Sequence, residues 1–312
     1  MKFKRQHYVP RFYLKNFALK RKSGNTIRCF NKEKERSFEE NIDNVGMENY
    51  FYDKGAPPQI DKFFAVKEEL HSKIYHKIIN SQSLNNLSES EKFLMCEYIF
   101  FQNERTRSTR ERNRQIVKKI YKKLEKENGY PEFESLPEEY QEWLLESRGE
   151  MAQLNILFNV FKDEGGNLQS PKEIIGYIMD LGWNLTENNL ANEFYTSDHP
   201  IIIYNPIYEG DRLIGYGSDS YRAEGVEIYF PLTPNLCLIL FDKIRSNYKN
   251  VPSKKFVIEK ELDWINTQVI ANSHRTVFTR KNDFQFVKDC LKKYPELKDP
   301  NRNRIFYYNL TF

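Results

Sequence analysis

The stretch EFYTSDHPIIIY, residues 193–204, decides the expected fold class, because two short β-rich runs stand on either side of a polar turn. Short apolar runs separated by turn residues are typical of an antiparallel sheet. The strand candidates of this region are residues 193–195, 201–204, 226–230 and 237–241. The sequence therefore predicts a β-rich, mostly antiparallel segment at about residues 183–241.

On both sides of this segment, apolar residues recur at helical spacing. The predicted helices are residues 60–80, about 90–127, 137–161, 171–181, 259–272 and 283–294, and a last strand is expected at 305–310. Because helices and strands are segregated, we predict an α+β fold with a helical N-terminal half and C-terminal helices. We expect one domain over residues 1–312, with a helical part at about 56–182, a β-rich part at about 183–245, and C-terminal helices and strand at 254–312.

The composition indicates a globular protein of the cytoplasm. The 312 residues are 15% aromatic, which supplies a core, and the net charge of +4 permits an anionic partner without requiring one. Four cysteines stand far apart, at Cys29, Cys96, Cys237 and Cys290, so neither a zinc ribbon nor a disulfide framework is expected. No apolar run approaches the roughly 20 residues that cross a bilayer. We therefore expect a cytoplasmic location and no membrane contact.

The N-terminal segment QHYVPRFYLKNF, residues 6–17, places His7 within a dense aromatic cluster. An imidazole held in place by packing can serve as a general acid or base near neutral pH. The alternative, favoured by composition alone, is a structural histidine that hydrogen-bonds a backbone carbonyl.

The segment QNERTRSTR, residues 102–110, lies in the most basic stretch of the chain. On a helix, the residues that share one face at spacings of three or four are Gln102, Arg105, Thr106 and Arg110, and this face could hold phosphates. The alternative is a solvated helix surface, which we prefer for most of the neighbouring lysines. Arg105 and Arg110 are better candidates, because they lie near the apolar half of the predicted helix.

The segment TSDHP, residues 196–200, places Asp198 between two strand candidates. Its carboxylate could act as a base or a metal ligand, or it could cap the turn by accepting backbone N–H groups. The two alternatives are about even. Asn266 and Arg275, further along the chain, carry no signal when each is taken alone.

Together these segments resemble the signature of the HYVP-type family known as domain of unknown function 4238. The resemblance extends from residue 6 to about 280 and includes the N-terminal segment, residues 44–52, QxxRT at 102–106 with Arg110, TSDxP at 196–200, Phe230-Pro231-Leu232, Asn266 and Arg275. The family pattern has a proline where this chain has Arg107. It also implies an acidic residue on the first long helix, for which Glu68 and Glu69 both qualify.

The resemblance implies a role in bacterial antiphage defence, with which some family members are associated. Our first hypothesis is an effector enzyme that acts on nucleic acid, a nuclease-like hydrolase of RNA or DNA. His7 would be the acid or base, Arg105 would neutralise phosphate charge, and Asp198 would orient His7 or bind a divalent metal such as magnesium. Substrate-binding residues would be Gln6, Gln102, Arg110, Ser197, Asn266 and Arg275.

A second hypothesis is a non-catalytic sensor that recognises a phage protein and acts through a partner or by forming homo-oligomers. In that case the same polar residues form a structural network that satisfies buried backbone groups. A third hypothesis is an enzyme that acts on nucleotides. The test that separates them is whether His7, Arg105 and Asp198 meet around an open pocket.

Overall fold

The computed structural model describes residues 5–52, 59–128, 131–158, 172–208 and 221–304. Within these ranges the α-helices are α1 Arg11–Leu14, α2 Gln59–Ser81, α3 Glu89–Glu104, α4 Arg107–Asn128, α5 Glu138–Phe158, α6 Lys172–Met179, α7 Glu259–Asn272 and α8 Gln285–Lys293. The strands are β1 Arg5–His7, β2 Leu19–Arg21, β3 Gly24–Asn31, β4 Arg36–Asn41, β5 Met47–Asn49, β6 Gly182–Glu187, β7 Thr196–Ser197, β8 Ile202–Tyr204, β9 Glu227–Thr233, β10 Leu236–Phe241, β11 Lys254–Phe256 and β12 Thr276–Thr279. The α+β class is confirmed.

The predicted β-rich segment forms most of a five-stranded sheet in the order β11-β6-β10-β9-β8. Its neighbouring strands are antiparallel except for β11 and β6, which run parallel. The central strand β10 is LCLILF, and all six of its residues are buried. A continuous apolar run of this kind suits a strand that is covered on both faces. Leu238 lies opposite Leu185 on one side and Phe230 on the other.

A second sheet joins the two ends of the sequence. Its order is β2-β3-β12-β7, and β4 pairs with β3 as well. Val277 of β12 lies opposite Phe30 of β3 and Ser197 of β7, so this sheet brings the TSDHP turn beside the N-terminal strands. A separate two-stranded sheet pairs β1 with β5, with His7 opposite Met47.

The N-terminal segment is fastened to both large sheets by Tyr13. The Tyr13 hydroxyl donates to the carbonyl oxygen of Pro231 on β9 at 2.7 Å and lies 2.6 Å from the Thr196 hydroxyl on β7. The Tyr13 ring stacks on Phe230 with ring centroids 5.2 Å apart. Tyr75 of α2 adds a hydroxyl that donates to the carbonyl oxygen of Leu232. The opening motif is therefore part of the core.

The helix predicted at about 90–127 is wrong in one respect, since it is two helices with a break at residues 105–106. The start is as capping chemistry predicts, because Ser88 and Glu91 form a reciprocal capping box. At the break, Gln153 of α5 donates its side-chain Nε2 to the carbonyl oxygens of Glu104 at 2.8 Å and Thr106 at 2.9 Å. A side chain from a distant helix thus binds two backbone carbonyls at the break, of which that of Thr106 also accepts the N–H of Arg110 at 3.1 Å.

The strand predicted at residues 193–195 is also wrong. The backbone groups of these residues bind a side chain rather than a neighbouring strand, because Asn266 accepts from Tyr195 N at 2.8 Å and donates to Glu193 O at 2.9 Å. The strands that were not predicted individually are β1, β2, β4, β5, β6, β7, β11 and β12. The strand expected at 305–310 lies outside the described residues, as does the predicted end of the helix at 137–161.

The periodic apolar face of α2 is only partly buried. Ile74 and Ile78 are buried, but Val66 is 64% exposed and Leu70 is 37% exposed. Among the described helices, none combines the length and the apolar character needed to cross a bilayer.

Candidate functional site

His7 and Glu68 line a cleft of about 220 Å³ between the N-terminal segment and α2. The other residues that line it are Arg5, Gln6, Arg11, Asp61, Lys62, Phe64 and Ala65. Strand β1 carries His7 and pairs with β5. Next to this pairing, the backbone of Gly46 binds the two residues that follow His7, and we call these contacts the backbone clamp. The carbonyl oxygen of Gly46 accepts the N–H groups of Tyr8 at 2.9 Å and Val9 at 3.0 Å. These contacts fix the residues that follow His7.

Gly46 is required for this clamp. Its φ is +60°, a backbone angle that residues other than glycine rarely adopt. A Cβ added at this position would lie 2.8 Å from the Cβ of Val9. The Asn-Val-Gly segment and the HYVP segment therefore depend on each other.

The imidazole of His7 is poised as a base. Burial lowers its pKa, and the nearby positive charge of Arg11 lowers it further, while a hydrogen bond to the backbone of Ile42 raises it in part. Nε2 is covered and has no hydrogen-bond partner within the described part of the chain. The backbone contact therefore falls to Nδ1, which leaves the lone pair on Nε2. At neutral pH the ring is uncharged and able to accept a proton.

Glu68 is held at the cleft by Arg105, which is 1% exposed. Arg105 Nη1 donates to Glu68 Oε1 at 2.8 Å, and Nη2 donates to Gln102 Oε1 at 3.2 Å. Gln102 in turn donates Nε2 to the carbonyl oxygen of Tyr8 at 3.1 Å. Arg105 is absent from the cleft's lining, so its contacts favour a positioning role, and its predicted contact with a phosphate stays a prediction. The neighbouring Glu69 is 73% exposed and pairs with Lys73 instead.

Gln6 connects the same network to the aromatic segment at residues 49–52. It is 2% exposed, and its Oε1 accepts the backbone N–H of Tyr52 at 2.7 Å. The Tyr52 hydroxyl donates to the carbonyl oxygen of Arg105 at 3.2 Å. The structure therefore brings four predicted site residues together: Gln6, His7, Gln102 and Arg105.

Arg110 lies beside this network and is equally enclosed. Its guanidinium donates to the carbonyl oxygen of Phe51 at 2.6 Å and to Gln153 Oε1 at 2.8 Å. It also covers the Phe51 ring at 3.8 Å from the centroid. These contacts attach residues 49–52 to the helix break. None of them exposes the guanidinium to a substrate.

Asp198 is not among the residues that line the His7 cleft. Its Oδ1 accepts the backbone N–H of His274 at 2.7 Å, and its Oδ2 accepts those of Arg275 at 2.8 Å and Thr276 at 2.9 Å. Ser197 completes the turn, because its hydroxyl exchanges hydrogen bonds with the backbone of His199. These contacts favour the turn-capping alternative, and a catalytic role for Asp198 stays a prediction.

Asn266 and Arg275 also lie away from the cleft. Asn266 is 3% exposed and uses both ends of its side-chain amide to hold residues 193–195 against α7. The Arg275 side chain is 52% exposed, and its Nε lies 3.5 Å from Glu33.

The basic residues of α4 largely pair with acidic residues on neighbouring elements. Arg114 binds Glu142 at 2.6 Å and Glu146 at 2.7 Å on α5, and Lys122 binds Glu134 at 2.8 Å. The basic stretch that suggested a phosphate-binding face is thus partly neutralised within the chain.

Sequence reasoning missed the charged residues around His7. Arg5 and Arg11 flank the HYVP segment, and Asp61 and Lys62 lie about two turns before Glu68 on α2. Helical spacing from Glu68 would have found Asp61, but only after Glu68 had been chosen over Glu69. Among the described residues, no group of three or more His, Cys, Asp or Glu side chains is arranged to hold a metal ion. The magnesium hypothesis stays a prediction.

Comparison with known proteins identifies one related family. A family model described as "Protein of unknown function (DUF4238)" matches residues 5–283. No curated protein and no solved structure matches the chain.

Proposed function

Because the chain belongs to the DUF4238 family of unknown function, we propose from its own geometry that it is a nucleic-acid-directed enzyme which cleaves RNA at the His7 cleft. The observation that carries the proposal is the state of His7. Other predicted site residues use their polar groups in hydrogen bonds within the protein, whereas His7 lines a cleft and its covered Nε2 has no partner among the described residues, so the groups over Nε2 must move aside when RNA binds. An uncharged imidazole in that position is a general base.

In the proposed step one proton is transferred, one bond to phosphorus forms and another bond to phosphorus breaks. His7 Nε2 takes the proton of a ribose 2′-hydroxyl, the O2′–P bond forms, and the P–O5′ bond breaks. The leaving oxygen takes a proton from water, and His7 later returns its own proton to water. Glu68 lies close enough for its charge to raise the pKa of His7, so it stabilises the imidazolium that forms.

The cleft also holds positive groups suited to a phosphodiester. Arg5, Arg11 and Lys62 line it together with the acidic Asp61 and Glu68. Positive side chains placed beside the phosphorus would offset the negative charge that develops in the transition state. RNA is preferred over DNA here because the 2′-hydroxyl supplies a nucleophile that a single base can activate.

The defence role rests on the family resemblance rather than on the cleft. Cleavage of cellular RNA after infection would stop phage production, which makes this chemistry suitable for an effector.

The proposal is tested by incubating the purified protein with labelled RNA, with DNA of the same sequence, and with 2′-O-methyl RNA. Cleavage of RNA alone, ending in a 2′,3′-cyclic phosphate and unaffected by a chelator, supports the proposal. His7→Ala should abolish it, while His76→Ala, which changes an exposed histidine on α2, should not. Both variants are also tested for phage protection at matched protein levels. Full protection by His7→Ala would falsify the catalytic role of His7.

The second candidate is the non-catalytic sensor, and a specific observation favours it. Five predicted site residues are buried and use their side chains to satisfy backbone groups or one another: Gln102, Arg105, Arg110, Asp198 and Asn266. That is the structural network expected of a binding module. Phage protection that survives His7→Ala but is lost when a phage component fails to bind would support this candidate instead.

A further inference from the structure

A second cavity, of about 440 Å³, lies between the five-stranded sheet and α7, away from His7. Four aromatic residues line it: Tyr204, Tyr229, Tyr248 and Trp264. Two carboxylates, Glu227 on β9 and Glu261 on α7, line it as well. Its volume falls within the range of about 300–1,000 Å³ that is usual for small-molecule sites. The proposed RNA cleavage makes no use of this cavity.

The aromatic residues form a connected wall. The Trp264 ring centroid lies 4.8 Å from that of Tyr204 and 4.9 Å from that of Tyr229, both in edge-to-face arrangements. Tyr229 contacts Tyr248 in the same way at 6.1 Å. Such a wall offers π-faces and edges to a guest, and a π-face attracts a positive charge.

Glu227 supplies a buried negative charge to this wall. It is 3% exposed, and its carboxylate accepts hydrogen bonds of 2.5 Å each from the hydroxyls of Ser246 and Tyr229. Burial raises its pKa, while the hydrogen bonds from Ser246 and Tyr229 and the nearby charge of Lys255 lower it in part. In the described part of the chain, no lysine, arginine or histidine forms an ion pair with it. A buried carboxylate without a counter-ion is costly, and a bound cation would offset that cost.

The other carboxylate shows how the cavity holds a positive group. Lys255 Nζ lies 2.6 Å from Glu261 Oε1 and 4.5 Å from the centroid of the Tyr248 ring. An ammonium group is thus already placed between a carboxylate and an aromatic ring. Glu227, Tyr229 and Trp264 repeat this combination beside it without such a group. Lys260 also lines the cavity, but it is exposed to solvent.

We propose that this cavity binds a small organic ammonium ion, whose charge pairs with Glu227 and whose carbon atoms pack on Trp264 and Tyr229. The cavity holds two carboxylates, Glu227 and Glu261, and one lysine, Lys255, that pairs with a carboxylate. One more positive charge would therefore balance the second carboxylate. The aromatic wall selects a cation with an apolar body over a hydrated metal ion. The site is a binding site, and no reaction is assigned to it.

Binding is measured with the intact protein by calorimetry and by tryptophan fluorescence, to which Trp264 contributes. The probes are choline, its neutral isostere 3,3-dimethyl-1-butanol, and n-butylammonium. Binding of either ammonium but not of the alcohol is the expected result, and the two ammonium probes show whether a quaternary or a primary head group is preferred. Equal binding of the alcohol, or binding of no probe, overturns the proposal.

Two substitutions give opposite expected shifts. Glu227→Gln should weaken binding of the preferred ammonium by at least about tenfold, because it removes the counter-charge. Lys255→Met should tighten binding, because it removes the competing positive charge and frees Glu261. The control is Glu224→Gln, which removes one negative charge, as Glu227→Gln does, but at an exposed residue outside the cavity's lining.

Folding of each variant is checked by circular dichroism. If Glu227→Gln fails to fold, the Lys255→Met result decides alone, and unchanged affinity in that variant overturns the proposal. The same conclusion follows if Glu227→Gln folds and binds as tightly as Glu224→Gln.

Discussion

Arg105 and Glu68 form an ion pair, with 2.8 Å between Nη1 and Oε1, that joins the end of α3 to the middle of α2. Arg105 is buried, whereas the Glu68 side chain keeps 28% of its surface exposed at the cleft. The pair therefore has an inner member that belongs to the core and an outer member that faces the site. Substitution of Glu68, the outer member, therefore tests this ion pair with the least disturbance of the core.

Glu68→Gln should lower the free energy of unfolding by about 1–3 kcal/mol, because it leaves the buried guanidinium of Arg105 without its counter-charge. Glu69→Gln is the matched control, since the side chain of the adjacent Glu69 is 73% exposed and pairs with Lys73 on the surface. It should leave stability unchanged within error. Urea denaturation of both variants measures the difference. Equal effects would show that the ion pair contributes nothing.

Gln153→Leu should destabilise the protein by about 2–4 kcal/mol, because three hydrogen bonds at the helix break are lost together and, within the described residues, only the Thr106 carbonyl among their partners keeps a backbone hydrogen bond, from Arg110 N. Gln153 is fully buried, and it spans the break between α3 and α4. Gln141→Leu on the same helix is the control, because Gln141 donates to the carbonyl oxygen of Leu136 on its own segment and not to the helix break. A chemical denaturation curve for each variant provides the comparison, and a loss no larger than that of Gln141→Leu would contradict the assigned role.

The helix break shows what the sequence could not reveal. Residues 104–107 contain neither glycine nor proline, so local rules favour one continuous helix. The group that stabilises the break, Gln153, lies on α5 and reaches it only after the two helices have packed. By contrast, α7 was predicted with its actual bounds, because its apolar periodicity is local information.

The site shows the same division between local and distant information. The HYVP segment and Glu68 or Glu69 could be named from the sequence, but choosing between adjacent glutamates required the position of Arg105, on another helix. For Asp198, turn capping could be named as an alternative from its local sequence. Its three partners are backbone N–H groups that lie between 76 and 78 residues away. No spacing rule reaches that far.

Asp198→Ala should lower stability by about 3–5 kcal/mol, because one buried and two part-buried backbone N–H groups lose a charged acceptor. Asp198→Asn should lose less, since one oxygen can still accept. Asp180→Ala, an exposed change beside α6, serves as the control. Hydrogen exchange at the amides of residues 274–276 gives a local measure. Unchanged exchange and stability together with lost phage protection would instead support the catalytic role first predicted for Asp198.

Stability should fall as the pH is lowered from 7.5 to 5, and His199 should account for part of the loss. Burial and the charges of Arg304, Arg112 and Arg302 lower the pKa of His199 from 6.5 to about 3. In the unfolded chain His199 binds a proton below about pH 6.5, whereas in the folded chain it does so only towards pH 3. The contribution of His199 to stability is therefore fully present above about pH 6.5 and is lost as the pH falls towards 3. At pH 5 the loss from this residue should be about 2 kcal/mol.

The measurement is urea denaturation at several pH values. His199→Gln should flatten the dependence on pH relative to the wild type, because the residue can no longer titrate. The exposed His76→Gln should not. A slope that is the same in both variants would show that His199 does not titrate in this way.

The electrostatic setting of His7 predicts two opposite shifts. Burial is the main cause of its lowered pKa, the charge of Arg11 lowers it further, and the charge of Glu68 raises it. Arg11→Ala should therefore raise the pKa of His7, and Glu68→Gln should lower it. Lys15→Ala, which changes an exposed residue on the same segment, should leave it unchanged. The ring signals are followed by NMR against pH and assigned by their absence in His7→Ala. Shifts of the same sign in both variants would mean that altered burial outweighs the two charges, and the cleft would then lack the acid–base balance on which RNA cleavage depends.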